Sequence, residues 1–105
     1  MATVTPTTQA MGVCNFASGS FTSDNTATTV TLGFTARWIR IVNSTDTITW
    51  EKQAGMAAAN AVKVVAVGTM TIDTGSAVLI NTNGTLTLSA ALVGATKAIS
   101  WVAFG

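Results

Sequence analysis

From Phe21 onward, apolar side chains recur at alternate positions and divide the chain into short segments. Val30, Leu32 and Phe34 alternate with Thr29, Thr31 and Gly33, which puts three apolar side chains on one face of a strand and threonine on the other. In residues 36–42 Trp38, Arg40 and Val42 share one face, and Arg37, Ile39 and Ile41 share the other. Asn43, Ser44, Thr45 and Asp46 follow, short polar side chains that hydrogen-bond local backbone and predict a compact turn. The chain then returns with Ile48 and Trp50 on one face and Thr47, Thr49 and Glu51 on the other. Residues 36–51 therefore read as a hairpin in which Glu51 lies across from Arg37 or Arg40, depending on register.

Residues 52–61, KQAGMAAANA, contain Gly55 and are too short for a sustained helix, so a loop with one turn is expected. Val62 to Val67 is apolar on both faces apart from Lys63, and TMTID (69–73) alternates Met70 and Ile72 with polar residues, which predicts two more strands. Asn83-Gly84 between alternating runs predicts a hairpin with a type I′ turn and positive φ at both central residues, with Leu86 and Leu88 pointing one way beyond it. In KAISWVAFG (97–105) apolar residues fall on both parities, Ile99, Trp101 and Ala103 against Val102 and Phe104, and a strand buried from both sides is expected. Seven or eight strands with turn signals between them define an all-β, single-domain β-sandwich or small barrel. Residues 1–20 show no sustained period and are expected to form an extended N-terminal arm ahead of a sandwich domain at 21–105. Val4, Met11, Val13 and Phe16 could lay that arm across a neighbour; a frayed terminus is the alternative.

Composition changes this picture in one respect. A chain of 105 residues suits one domain, but its charged fraction is 9%, against about 25% in ordinary soluble domains, while hydrophobic residues reach 49%. Five basic and four acidic residues leave a net charge of +1. So little charge points to surface covered in an oligomer or lattice; polarity supplied by Thr, Ser, Asn and Gly is the other reading. The absence of a basic cluster argues against direct nucleic-acid contact. MATVTPTTQAMGV has no Lys or Arg and no long apolar run, so a protein made and kept inside a cell is expected. The stretch GMAAANAVKVVAVG is broken by Asn60 and Lys63 and falls short of the ~20 residues that cross a bilayer, so no membrane partner is expected.

Candidate chemistry is sparse. There is no histidine, which removes the commonest general base and imidazole ligand, and the single Cys14 can make neither an internal disulfide nor a structural zinc site. Asp24, Asp46, Glu51 and Asp73 fall in or beside expected turns and strand ends, and the glycines sit at turns and not in a phosphate-cradling cluster. Neither an enzymatic activity nor a cofactor is expected. Trp38, Trp50 and Trp101 could serve as sugar-stacking platforms, but tryptophans on strands with apolar companions read more readily as core or subunit-interface residues.

Residues 33–56, GFTARWIRIVNSTDTITWEKQAGM, carry Gly33, Phe34, Arg37, Trp38, Ile39, Arg40, Ile41, Asn43, Thr45, Asp46, Trp50, Glu51, Gly55 and Met56 in a telling order. It resembles a segment, Gly-Phe-x-x-Arg-aromatic-hydrophobic-Arg and onward to Trp-Glu and Gly-Met, of small tailed-bacteriophage head decoration (cement) and other virion surface structural proteins. The closing SWVAFG is similar to that family's C-terminal strand. The resemblance implies β-rich trimers or similar homo-oligomers, made in the host cytoplasm, that sit on the capsid surface of the virion. There they would hold neighbouring major capsid protein subunits together by non-covalent contacts. Candidate interface residues are then Val4, Met11 and Phe16 of the arm together with Arg37, Trp38, Arg40, Trp50 and Met56. One face of the 36–51 hairpin, carrying either Trp38, Arg40 and Trp50 or their alternates, is expected to pack into the core or against another subunit, with at least one arginine pairing with a carboxylate across that contact. A carbohydrate-binding or host-adhesion module of a virion is the second reading, and a self-assembling tail or tube protein the third.

Overall fold

The computed structural model describes residues 15–105, so the expectations for Val4, Met11, Val13 and Cys14 lie outside the described residues. Nine strands follow one another: β1 (Phe16–Asp24), β2 (Thr28–Thr31), β3 (Trp38–Asn43), β4 (Ile48–Gln53), β5 (Ala61–Val64), β6 (Met70–Asp73), β7 (Val78–Ile80), β8 (Thr85–Leu88) and β9 (Ala95–Phe104). A one-turn helix, α1 (Ala90–Val93), precedes β9. The strands form a six-stranded sheet in the order β1-β9-β3-β4-β5-β6 and a three-stranded sheet in the order β2-β8-β7, antiparallel throughout. This is the expected all-β, single-domain sandwich, built from two sheets of unequal width.

Period-two alternation becomes burial where the sheets face each other. Ile39 and Ile41 of β3, Trp50 of β4, and Ile99 and Ala103 of β9 pack in one cluster with Val30, Val78, Leu86 and Leu88 of the small sheet. Ile39, Ile41, Leu86 and Leu88 are 0% exposed, and each such side chain contributes about 1.5–3 kcal/mol of hydrophobic stabilisation. Ser89 caps α1 by accepting the Leu92 amide on its hydroxyl at 3.1 Å, and the turn drives Leu92 and Val93 into the same core. Four residues give no helical period, which is why the sequence pattern does not announce α1.

Two expectations are corrected by the backbone. Residues 16–20 are strand and not arm: β1 starts at Phe16 and pairs with β9 from Phe16↔Phe104 onward. Its inward positions are Ala17, Gly19 and Phe21, of which the first two are too small to show an apolar alternation; Trp101 of β9 lies over Gly19. A Cβ at Gly19 would stand 2.9 Å from Trp101 Cζ2, so the glycine leaves the space the indole occupies. The Asn83-Gly84 hairpin joins β7 to β8 as expected, but positive φ occurs at Gly84 (81°) and not at Asn83. The Asn81 amide donates to the Thr85 carbonyl at 3.0 Å, closing a three-residue loop with glycine in the left-handed position, the alternative to the type I′ turn.

Ile41→Ala should cost about 2–5 kcal/mol in denaturant unfolding, since a fully buried side chain leaves a cavity. Gly19→Val should cost about 1–3 kcal/mol and shift the Trp101 fluorescence, by forcing the indole off β1.

Candidate interaction face

The β3–β4 register settles what the hairpin presents. Ile41 lies opposite Trp50 and Ile39 opposite Lys52, all buried, while Arg40 lies opposite Glu51 on the other side of the sheet. Trp38 and Arg40 thus share the outer face, and Trp50, 3% exposed, belongs to the core. Of the alternatives left open for this face, the one that groups Trp50 with Trp38 and Arg40 does not hold: in an antiparallel pair the partner of an outward residue also points outward, and the partner of Trp50 is the inward Ile41. Arg40 Nε stands 3.7 Å from Glu51 Oε1 with both side chains about half exposed, a pair worth under about 1 kcal/mol.

Around that ion pair the outer face of the six-stranded sheet carries two apolar clusters, with Ser18, Ser20, Thr22, Thr49 and Ser100 among its other outward positions. At one corner Phe16, Phe104 and Trp38 form a row across β1, β9 and β3, with ring centroids 5.2 Å apart between the phenylalanines and 5.5 Å between Phe104 and Trp38. Phe16 is 57% exposed and Phe104 41%. At the opposite edge Val62 pairs with Ile72 and Val64 with Met70, and Met70 is 69% exposed. Val102 and Val42 lie between, half-buried. The expectation that β9 is buried from both sides is therefore corrected: Ile99 and Ala103 of its inner face are buried, while Ser100 and Phe104 of its outer face are exposed.

The outer face of the small sheet is different. Thr29 pairs with Thr87 and Thr31 with Thr85, and the Asn81 side-chain amide donates to the Thr85 and Thr87 hydroxyls at 3.1 and 3.0 Å. The small sheet thus turns threonine rows to water, whereas the six-stranded sheet mixes serine and threonine with two exposed apolar clusters.

The remaining candidates are dispersed. Arg37 is exposed just before β3, where its backbone amide donates to the Phe104 carbonyl at 2.7 Å. With Thr35, Trp38, Gln53 and Gly55 it lines an open groove of about 630 Å³. Met56 is half-buried in the loop after β4. The outward apolar residues of β5, β6 and β9 were not singled out from sequence, although the alternation of TMTID and SWVAF marks them.

Two polar groups inside the sandwich also escaped the sequence reading. Lys52 is 3% exposed, and its ammonium donates to the carbonyls of Ala58 (2.6 Å), Asn60 (3.0 Å) and Ala57 (3.4 Å), tying the loop after β4 to the sheet. Burial pushes its pKa below the ordinary 10.5. Trp50 directs its indole N–H at Asp73 Oδ2, 3.4 Å away, and Lys63 Nζ lies 5.5 Å from the centre of the Trp50 ring. Among the described residues no three His, Cys, Asp or Glu side chains cluster to hold a metal ion. No helix among them is long and apolar enough to cross a membrane.

Comparison with protein-family models, with curated proteins and with solved structures finds no match to this chain.

Trp50→Ala should destabilise by about 3–5 kcal/mol, whereas Trp38→Ala should cost at most about 1–2 kcal/mol in the isolated chain, as read by denaturant unfolding. Lys52→Met should cost about 1–3 kcal/mol near neutral pH by leaving three carbonyls without their donor. Because the folded chain holds the Lys52 proton less tightly than the unfolded chain, stability rises with pH from the folded pKa up to 10.5. The gap between wild type and Lys52→Met should widen over that window.

Proposed function

We propose that the protein is a non-catalytic structural subunit that docks on a larger protein shell through the outer face of its six-stranded sheet, in the manner of a capsid decoration protein. The observation that carries this reading is the pair of exposed apolar clusters on that face, Phe16, Phe104 and Trp38 at one corner and Met70 and Ile72 at the opposite edge, with one weak ion pair between them. Exposed apolar clusters mark association sites, and tryptophan and arginine are the residues that most often dominate them. Apolar contact over that face, with Arg40 and Glu51 available to re-pair across it, would hold adjacent shell subunits together without covalent chemistry. The partner is then the shell's major protein and the location the shell surface.

The groove beside Trp38 favours a second reading. An indole edge with Arg37 and Gln53 around an open cleft is a fitting site for an acidic sugar, which would make the chain a host-adhesion module.

Shells banded on a density gradient from the culture that makes the protein should carry the chain. The Trp38→Ala/Phe104→Ser variant should associate at least ~10-fold less, with its unfolding midpoint nearly unchanged. Absence of the chain from the shells, with glycan-array binding lost in Arg37→Ala but kept in Phe104→Ser, would assign the function to the groove instead.

A further inference from the structure

The long edge of the six-stranded sheet offers a second, separate contact. Gly105 donates its backbone amide to the Asn15 carbonyl at 2.9 Å, which makes that pair a hydrogen-bonded rung of the β1–β9 ladder. Such rungs alternate along an antiparallel pair. Ala17, Gly19 and Phe21 therefore turn their N–H and C=O groups toward β9, and Phe16, Ser18, Ser20 and Thr22 turn theirs to the opposite edge. Among the described residues no strand pairs with that edge.

Exposed edges are ordinarily shortened, charged or interrupted, because a row of unpaired backbone groups recruits other strands. The other edge strands of this fold comply: β2 and β6 have four residues and β7 three. β1 has nine, and no charge or proline occurs from Phe16 to Ser23. Its ladder is irregular only between Thr22 and Asp24.

We infer that β1 pairs antiparallel with β1 of a second copy of this chain, joining two six-stranded sheets into one continuous sheet. A second copy fits because an uncharged edge meets itself with no like charges opposed, and an antiparallel two-fold contact closes at two subunits and leaves no further β1 edge. The register that uses every outward group sets Ser18 opposite Ser20 of the second copy and Phe16 opposite Thr22. Asp24, held by the Thr26 hydroxyl and amide, then stays beyond the ladder. The two apolar outer faces become one surface, with the aromatic corners of the two copies flanking the seam. Each molecule is a slab 42 × 33 × 18 Å, so the joined face exceeds the ~800 Å² per partner of a standard interface and stays available to the shell. The pairing builds dimers, unlike the trimer implied by the sequence resemblance, and does not depend on what the outer face docks onto.

The test is the mass of the full chain by light scattering, with β-sheet content followed by circular dichroism. Wild type should have twice the chain mass. Ser18→Lys/Ser20→Lys sets lysine against lysine across the seam and should be monomeric with its β-sheet retained, whereas Ser18→Lys/Ser20→Glu sets lysine against glutamate and should restore the dimer. A monomeric wild type would overturn the inference, as would a double-lysine variant that remains as dimeric as wild type.

Discussion

The pairing of Ile41 with Trp50 is the constraint on which the other features of this protein depend. A strand has two faces, so this one rung seats Ile39, Ile41 and Trp50 against the small sheet and sends Trp38, Arg40 and Glu51 outward. A slip of one residue in either strand would carry charged side chains into a core where nothing neutralises them, at a cost far above that of any surface contact. The turn enforces the same register locally. Asn43 accepts the Asp46 amide at 3.0 Å and donates to its carboxylate at 3.1 Å, while Ser44 and Thr45 hydrogen-bond to the backbone of Ala98 in the neighbouring strand. Packing, turn chemistry and charge thus select a single arrangement.

That arrangement also bears on what low charge means here. Two explanations were open from composition, an uncharged polar surface and a surface covered by neighbours, and the small sheet displays the first. The threonine rows Thr29/Thr87 and Thr31/Thr85 show how a chain can face water without ions, since hydroxyls and the Asn81 amide satisfy one another across strands. The six-stranded sheet uses uncharged polar groups on part of its outer face, at Ser18, Ser20, Thr22, Thr49 and Ser100. At its β1–β9–β3 corner and its β5–β6 edge the outward positions are instead aromatic, valine, isoleucine and methionine side chains, with the half-exposed Arg40–Glu51 pair between them.

Much of the fold was legible because burial follows parity. The faces of β3, β4, β8 and β9 can be read from alternation alone, and so can the hairpin between β3 and β4. Parity assigns residues to a face but says nothing about which face is covered, and that is why Val102 and Phe104 read as core and prove to be surface. Lys52 was illegible for another reason: its inward position follows from Trp50 two residues earlier, yet a lysine there becomes tolerable only through three carbonyls of a loop whose path the sequence does not reveal. Of the candidate interface residues, Phe16, Trp38 and Arg40 come together on one face, and Trp50 is removed from it by the register.

β1 shows why one strand of the fold is illegible in the sequence. Trp101 is the largest side chain on the inner face of β9, and it can lie flat over the neighbouring strand only if that strand offers no Cβ at position 19. Small residues at Ala17 and Gly19 meet this need and erase the apolar alternation by which the strand would be recognised. They also leave β1 with Phe21 as its one large inward side chain, packed at the margin of the core. A strand held by its ladder more than by its side chains gains proportionately more from a second ladder than a strand anchored in the core would. The residue that accommodates the indole therefore makes the strand hard to see in the sequence, and that strand is the longest edge strand among the described residues.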